Sequence, residues 1–497
     1  MKLQFKQRDQ FICIDKPAGF STHSPDVGHP GICEIYEAEL KTKLFIAQRL
    51  DKTTTGTLVF TTSSEKAREL TEAFQNRLVK KKYHFITDRR SNEVELKNQN
   101  ALDGKSAETL FRRLKRSPFF ELWEAQPLTG RPHQIRKHAA ELGLPILGDV
   151  TYGGTDYPHL CLHALELHLP GEEPLISPQP VFMERMGLLR DAELVRWLAD
   201  IDRRQRLYGF LDQPESSLRL IHLPDLRMDL LGPQMWFYWY RDEDPTPEDL
   251  RRCQFLAGLL RKEWLLRKMI NRGEDPQNRK VWHSANWQTS WTAQENGLRY
   301  FFQSDVGQSP GLFLDQRDNR RRLGEQAPRA RVLNIFSYTC GFSLVAAKFG
   351  AIEVDSVDLS SPFLEWGQKN FHLNDLDPTR YNFFQTESLL FLKGAVKRQR
   401  QFDLIVCDPP SFGRHKNGVF RLDQDMPELL KLCWQVLAPG GWLLFSCNLE
   451  KWDRSKLEKQ IVKVFPKAKI ESGRQGWDFE RPDEESLMKS FWIWKNG

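Results

Sequence analysis

Several features are absent from this chain, and each absence removes a class of protein. No two of its eight cysteines stand as C-x-x-C, so there is no zinc-knuckle spacing and no disulfide framework to read. No metal site is expected. No apolar run reaches the roughly 20 residues that a membrane span requires, and Met1-Lys2-Leu3-Gln4-Phe5-Lys6 has no apolar core of the signal-peptide kind. The expectation is a cytoplasmic protein with no membrane partner. G-x-G-x-x-G does not occur, which weighs against a dinucleotide-dependent dehydrogenase. Internal repeats and long low-complexity segments are also lacking. The charge is nearly balanced, at a net +6, which permits a polyanionic partner without demanding one.

What remains is a chain of 497 residues, 40% hydrophobic and 28% charged. That length exceeds one ordinary core, so two or three soluble domains are expected. The stretch from Ala47 to Phe60 organises the amino-terminal third. Asp51 stands between Arg49 and Lys52, followed by Thr53-Thr54-Thr55-Gly56 and an apolar tail, Thr57 to Phe60. Threonine and glycine suit a tight turn, and the tail suits a buried strand. Fixed positive neighbours favour the ionised form of an acid, as a nucleophilic carboxylate requires. A surface ion pair ahead of a strand would use the same residues.

Further signals share this third. Phe11 to Ile14 reads as a strand running into Asp15-Lys16-Pro17-Ala18-Gly19. Lys81 to Ile86 is a strand carrying Tyr83, which suits either a packed face or a stacking platform. Leu128-Thr129-Gly130-Arg131-Pro132-His133-Gln134-Ile135-Arg136-Lys137-His138 sets two arginines and two histidines beside a glycine turn, a group suited to phosphate and base-edge contacts. Gly148-Asp149, Tyr152-Gly153-Gly154 and Leu162-His163-Ala164 follow. Together these motifs resemble the RluA-type pseudouridine synthases, over roughly residues 8 to 180. Gln48 stands where that family usually has histidine, and Thr55 where it has serine. The resemblance implies an α+β domain with a mixed antiparallel sheet that isomerises uridine in RNA without a cofactor. Asp51 would attack the nucleoside, Arg49 and Arg136 would orient it, and Tyr83 would stack on the base.

Beyond the proline-punctuated Glu172–Pro180, a charged helix is expected from Asp191 to Arg206, bridging to a small α+β module at 205–308 that is rich in aromatics. From Arg331 onward strands and helices alternate, the pattern of a parallel α/β sheet. Val332 to Phe336 is a strand, and Ser337-Tyr338-Thr339-Cys340-Gly341 opens a helix. A second strand ends on Asp358, where such folds hold a ribose. A later one ends on Asp408-Pro409-Pro410-Ser411-Phe412.

Gly311-Leu312-Phe313-Leu314-Asp315-Gln316-Arg317-Asp318-Asn319-Arg320 completes a resemblance, over residues 295 to 497, to class I S-adenosylmethionine-dependent methyltransferases. It is closest to large-subunit ribosomal RNA enzymes of the RlmK and RlmI kind. The resemblance implies a Rossmann-like domain that binds S-adenosylmethionine through Asn334, Ser337, Tyr338, Thr339, Gly341, Asp358, Glu387 and Asp408. Asp408 and Pro409 would line the base pocket and Phe412 would stack. Cys340 replaces a glycine of the family and is expected to narrow the pocket.

Two features bear on the target base. Cys447 lies where 5-methylcytosine enzymes of the RlmI kind carry a cysteine. Lys416 and the stretch Phe363 to Asn374 look more like the guanine-N7 enzymes of the RlmK kind. The expected division is a synthase domain at 1–190, a linker helix with an RNA-binding-like module at 191–308, and a methyltransferase domain at 309–497. RNA, most of all large-subunit ribosomal RNA, is the expected partner, and DNA is not.

Overall fold

The computed structural model describes residues 3–24, 30–269, 280–305, 309–415, 418–449, 451–473, 475–479 and 488–496. The chain divides into two compact units, Met1–Gln213 and Pro214–Gly497. No described helix is long and apolar enough to cross a membrane.

The first unit is built on a mixed sheet, ten-stranded among the described residues. Thr55–Thr61, buried along its whole length, lies near the middle. It runs antiparallel to Phe11–Lys16 and parallel to Leu162–His168. Gly56 makes the second pairing possible: its φ is +117°, and a Cβ there would sit 2.2 Å from the Ala164 carbonyl oxygen. Beyond Leu162–His168 come Lys80–Thr87, Glu121–Pro127, Thr109–Arg116 and Glu95–Asn98, all antiparallel to their neighbours.

The helix Ala192–Tyr208 corrects the expected linker. Its charges are not a solvated face. Arg206 is buried and bonds Asp15 on the strand Phe11–Lys16, Ser177 Oγ at 3.0 Å and its own Asp202 at 2.6 Å. Buried charge must be paired to be tolerated, and the partners lie within the first unit. The helix therefore closes that unit instead of bridging to the next.

The second unit contains a five-stranded sheet (Ser217–His222, Leu226–Leu231, Gln234–Trp239, Glu263–Lys268 and Val281–His283 among the described residues) crossed by the helix Pro247–Leu260. A hairpin, Ser290–Glu295 with Leu298–Gln303, joins it to the larger α/β part. Trp291 of that hairpin stacks on Phe302 at 5.7 Å and donates to the Leu231 carbonyl. One apolar cluster runs from Trp236 through Trp291 and Phe302 to Val332 and Val354. This continuous core explains why the module and the α/β part form one unit, where separate domains were expected.

The α/β sheet runs Asn382–Gln385, Glu353–Asp358, Arg331–Ile335, Phe402–Cys407, Leu437–Cys447, Lys489–Trp494, Lys469–Ser472. The first five strands are mutually parallel, and Lys489–Trp494 is antiparallel to both of its neighbours. The chain starts at Arg331–Ile335 and moves first toward one edge, then toward the other. The carboxyl ends of Arg331–Ile335 and Phe402–Cys407 thus flank a topological switch point, where such sheets bind ligands.

Candidate active sites

In the first unit the site draws on the Asp51 loop, the strand Lys80–Thr87, the helix Gln134–Glu141 and the turn carrying Asp149 and Tyr152. The Asp51 loop precedes the strand Thr55–Thr61 and turns through a bond from Thr54 N to the Asp51 carbonyl. Lys16 holds it from below. This lysine is fully buried, and its ammonium donates to the carbonyls of Pro17, Asp51, Lys52 and Thr54 at 2.8–3.1 Å. Burial draws the Lys16 ammonium down to about 7, against the opposing pull of the Asp51 charge. Thr22 adds a second clasp, with its hydroxyl bonded to both the N–H and the carbonyl of Leu50. Backbone polar groups of the loop are satisfied in this way, and the Asp51 carboxylate is left 30% exposed.

Arg136, on the helix Gln134–Glu141, reaches Asp51 with Nη1 at 3.3 Å. Its Nε and Nη2 clamp the buried Asp149 carboxylate, each at 2.7 Å. That fork keeps the guanidinium in one orientation. Those bonds to Asp149 lead the causes that raise the Arg136 pKa. Tyr152 lies under the guanidinium at 5.0 Å and bonds His133 Nδ1 through its hydroxyl at 2.8 Å. His133 Nε2 in turn stands 3.8 Å from Asp51 Oδ1. Tyr83 is half-buried beside this group; burial, then the charge of Asp51, pushes its phenol well up.

Of the four residues expected at this site, Asp51, Arg136 and Tyr83 come together. Arg49 does not. It is exposed, and no hydrogen bond or ion pair joins it to Asp51 among the described residues. Asp149, Tyr152 and His133 belong to the site and were missed, although all three lie inside motifs singled out in the sequence.

In the second unit a cavity of about 400 Å³ opens at the switch point. Asn334, Ser337, Tyr338, Thr339, Gly341, Asp358, Glu387 and Asp408 all line it, as does Pro409. The loop after the strand Arg331–Ile335 is unusual. Phe336, Tyr338 and Cys340 have φ of 57°, 49° and 60°, each a left-handed conformation that costs a non-glycine residue roughly 1–3 kcal/mol. Asp358 helps to hold this turn: its Oδ2 accepts from Tyr338 N and its Oδ1 from Ser360 N, both at 2.9 Å. Burial raises its carboxyl above the usual range.

Cys340 does not narrow the cavity. Its side chain is fully buried and faces Gly367 on the helix Ser361–Leu373, where a Cβ would lie 2.5 Å from the sulfur. A missing side chain at 367 thus makes the space that the extra one at 340 fills. Gly367→Ala should lower stability by about 1–3 kcal/mol through overpacking. Adding Cys340→Gly should restore most of that loss in thermal unfolding. A single Gly367→Ala protein as stable as the parent would contradict the packing.

Opposite this loop, Asp408 accepts from Gln316 Nε2 at 2.9 Å, and Gln316 is oriented by Asn319. Burial first, then the charge of Asp315, lifts the Asp408 carboxyl to about 7. Asp315 also lines the cavity, and its Oδ1 has no hydrogen-bond partner. It was not among the expected site residues. The two arginines of the same signature are structural: Arg320 forks onto buried Glu295 at 2.7 Å, and Arg317 pairs with buried Asp478.

Phe412 is 49% exposed and does not line the cavity; Phe420, packed on Phe336 at 5.5 Å, does. Cys447 is buried off the wall of the cavity, and burial raises its thiol. Lys416 lies outside the described residues. Asn370 and Asn374 bond the backbone of Phe301 and Arg299 on the hairpin. They bear on the fold, not on the choice of base.

Known proteins share both halves. Residues 10–141 match the family model described as RNA pseudouridylate synthase, and residues 260–461 that described as S-adenosylmethionine-dependent methyltransferase. The chain is 37% identical over 180 residues to Ribosomal RNA large subunit methyltransferase K of Neisseria meningitidis serogroup B, covering 35% of this chain and 51% of that protein. It is 36% identical over 183 residues to Ribosomal RNA large subunit methyltransferase I of Aeromonas salmonicida, covering 36% and 45%. It thus spans about half the length of these curated relatives. Among solved structures, SMU.776 complexed with SAH has a TM-score of 0.52 at 26% identity, covering 61% of this chain and 80% of that one. With the motifs and the fold in agreement, the chain joins a domain of the RNA pseudouridylate synthase family, matched over residues 10–141, to a domain of the S-adenosylmethionine-dependent methyltransferase family, matched over residues 260–461.

Proposed function

We propose that the chain is a bifunctional RNA-modifying enzyme. Its first domain isomerises uridine to pseudouridine, and its second methylates a base of large-subunit ribosomal RNA at guanine N7. Asp51 is the nucleophile of the first reaction. Arg136, fixed by Asp149, lies against its carboxylate and aims it, and Tyr83 supplies a flat face for a uridine drawn out of its stack.

In the second domain the cavity fits S-adenosylmethionine. Its volume suits a ligand of nucleoside size, a carboxylate stands at a strand tip for the ribose, and Asp315 and Asp408 favour a cation. The cofactor supplies an activated methyl group when bound. Asp358 takes the ribose hydroxyls, Glu387 lies where the adenine edge would meet an acceptor, and Tyr338 and Phe363 form an apolar wall. Asp408 and Pro409 edge the target base, and the chain's main contribution is proximity and orientation.

One observation carries the choice of base: no cysteine lines the cavity among the described residues. Carbon 5 of cytosine is a poor nucleophile and needs a thiolate added at carbon 6. Guanine N7 already carries an in-plane lone pair, so positioning suffices. Nucleotide-resolution mapping of ribosomal RNA from cells with and without the gene tests both activities at once. The expected result is one pseudouridine and one 7-methylguanine lost together. Cys447→Ala should keep most methyl transfer, and RNA carrying 5-fluorocytidine should form no trapped adduct. An adduct that disappears in the Cys447→Ala protein would reassign the product to 5-methylcytosine.

A further inference from the structure

We propose that His133 is a catalytic residue of the isomerisation: its Nε2 takes the proton from carbon 5 of the rejoined base, while its Nδ1–H is held by the Tyr152 hydroxyl. The inference rests on the synthase reading above and names a group that reading leaves out.

The chemistry demands such a base. When the bond between C1′ and carbon 5 forms, carbon 5 becomes tetrahedral and keeps its hydrogen, with the ring double bond between N1 and carbon 6. The C5–H bond must then break. Its proton goes to a base, its electron pair becomes the C5=C6 double bond, and the former N1=C6 pair takes a proton from solvent at N1. Protons balance, and no oxidant or reductant is involved. Because C1′ lies within bonding reach of Asp51, carbon 5 does too, and the base must stand next to that carboxylate.

Besides Asp51 itself, which this reading uses as the nucleophile, four side chains among the described residues meet this condition, and three are unsuited. Arg136 stays protonated and is clamped by Asp149. Lys16 is buried with its ammonium bonded to four carbonyls. Tyr83 would have to act as phenolate, and burial with the Asp51 charge raises its phenol far above neutrality. His133 remains. Its Nε2 is 3.8 Å from Asp51 Oδ1, its side chain is 41% exposed on the site, and imidazole is the commonest general base.

The surroundings fix this imidazole closely. Tyr152 OH lies 2.8 Å from Nδ1, and the two rings meet edge to face at 5.8 Å. The His133 backbone is left-handed, at φ 53° and ψ 23°. Gln134 locks that turn: its Oε1 accepts from Thr129 Oγ1 and Arg131 N, and its Nε2 donates to Glu108 O and Thr109 Oγ1. Strain held by so many bonds is characteristic of a working position.

The test uses the full chain with RNA carrying uridine labelled at carbon 5. Asparagine tolerates a left-handed backbone, so His133→Asn is the first variant and Tyr152→Phe the second. His133→Asn should slow pseudouridine formation about 100-fold or more, with KM for RNA unchanged. A primary isotope effect with 5-deuterouridine, absent from the parent, should appear in both variants. RNA carrying 5-fluorouridine has no such proton to lose, and cleavage of its glycosidic bond should proceed at the parental rate. Equal slowing of that cleavage, or slowing without an isotope effect, would make His133 a mere clamp on Asp51 and overturn the proposal. A parental rate in His133→Asn would do the same. A parent that forms no pseudouridine at all would overturn the synthase reading itself, and this inference with it.

Discussion

Asp51→Asn is expected to abolish pseudouridine formation, by on the order of 10⁴-fold or more, while methyl transfer continues at the parental rate. The substitution removes a negative charge with almost no change in volume. The Asp51 loop should survive it, because Lys16 and Thr22 hold that loop through its backbone carbonyls and the Leu50 N–H, not through the carboxylate. Arg136 also keeps its fork on Asp149. The acids of the methyltransferase cavity belong to the other unit. Both activities should be assayed on one preparation, with thermal unfolding as a control. A folded Asp51→Asn protein that has lost both would refute two independent sites.

The second large effect is expected at Asp358. Two charge-assisted bonds to ribose hydroxyls are worth about 1.5–3 kcal/mol each. Asp358→Ala should therefore weaken S-adenosylmethionine binding by roughly 10²–10⁴-fold, with RNA affinity unchanged, as read by calorimetry. The same carboxylate holds Tyr338 N and Ser360 N, so part of the loss reflects a less ordered loop. The pH dependence has a definite sign. Burial raises the Asp358 carboxyl, and only the ionised form accepts two hydroxyl protons well. Affinity should fall on acidification, beginning at a higher pH than an exposed aspartate would require. An Asp358→Ala protein with parental cofactor affinity would move the ribose site elsewhere.

Much of both sites was legible because their residues sit in contiguous motifs. The strand-ending acids Asp358 and Asp408 follow from the alternation of strands and helices, and all eight residues expected at the cofactor line one cavity. Proximity along the chain misled at Arg49. Two residues before Asp51 is not beside Asp51 in a loop, and the paired cation comes from Arg136, 85 positions away. The helix Ala192–Tyr208 was misread for the same reason. Arg206 looks solvated until Asp15, 191 positions earlier, is brought against it. Asp315 lay inside a recognised signature, but no local pattern tells a cavity acid from an acid that caps a turn.

The fit between Cys340 and Gly367 also constrains which substitutions the helix can accept. With glycine at 340, position 367 is free to carry a side chain. With cysteine at 340, it is not, because the sulfur occupies the place of any Cβ. A side chain at 367 therefore costs packing unless 340 is made smaller in the same step, so the two positions behave as one unit that must be varied as a pair.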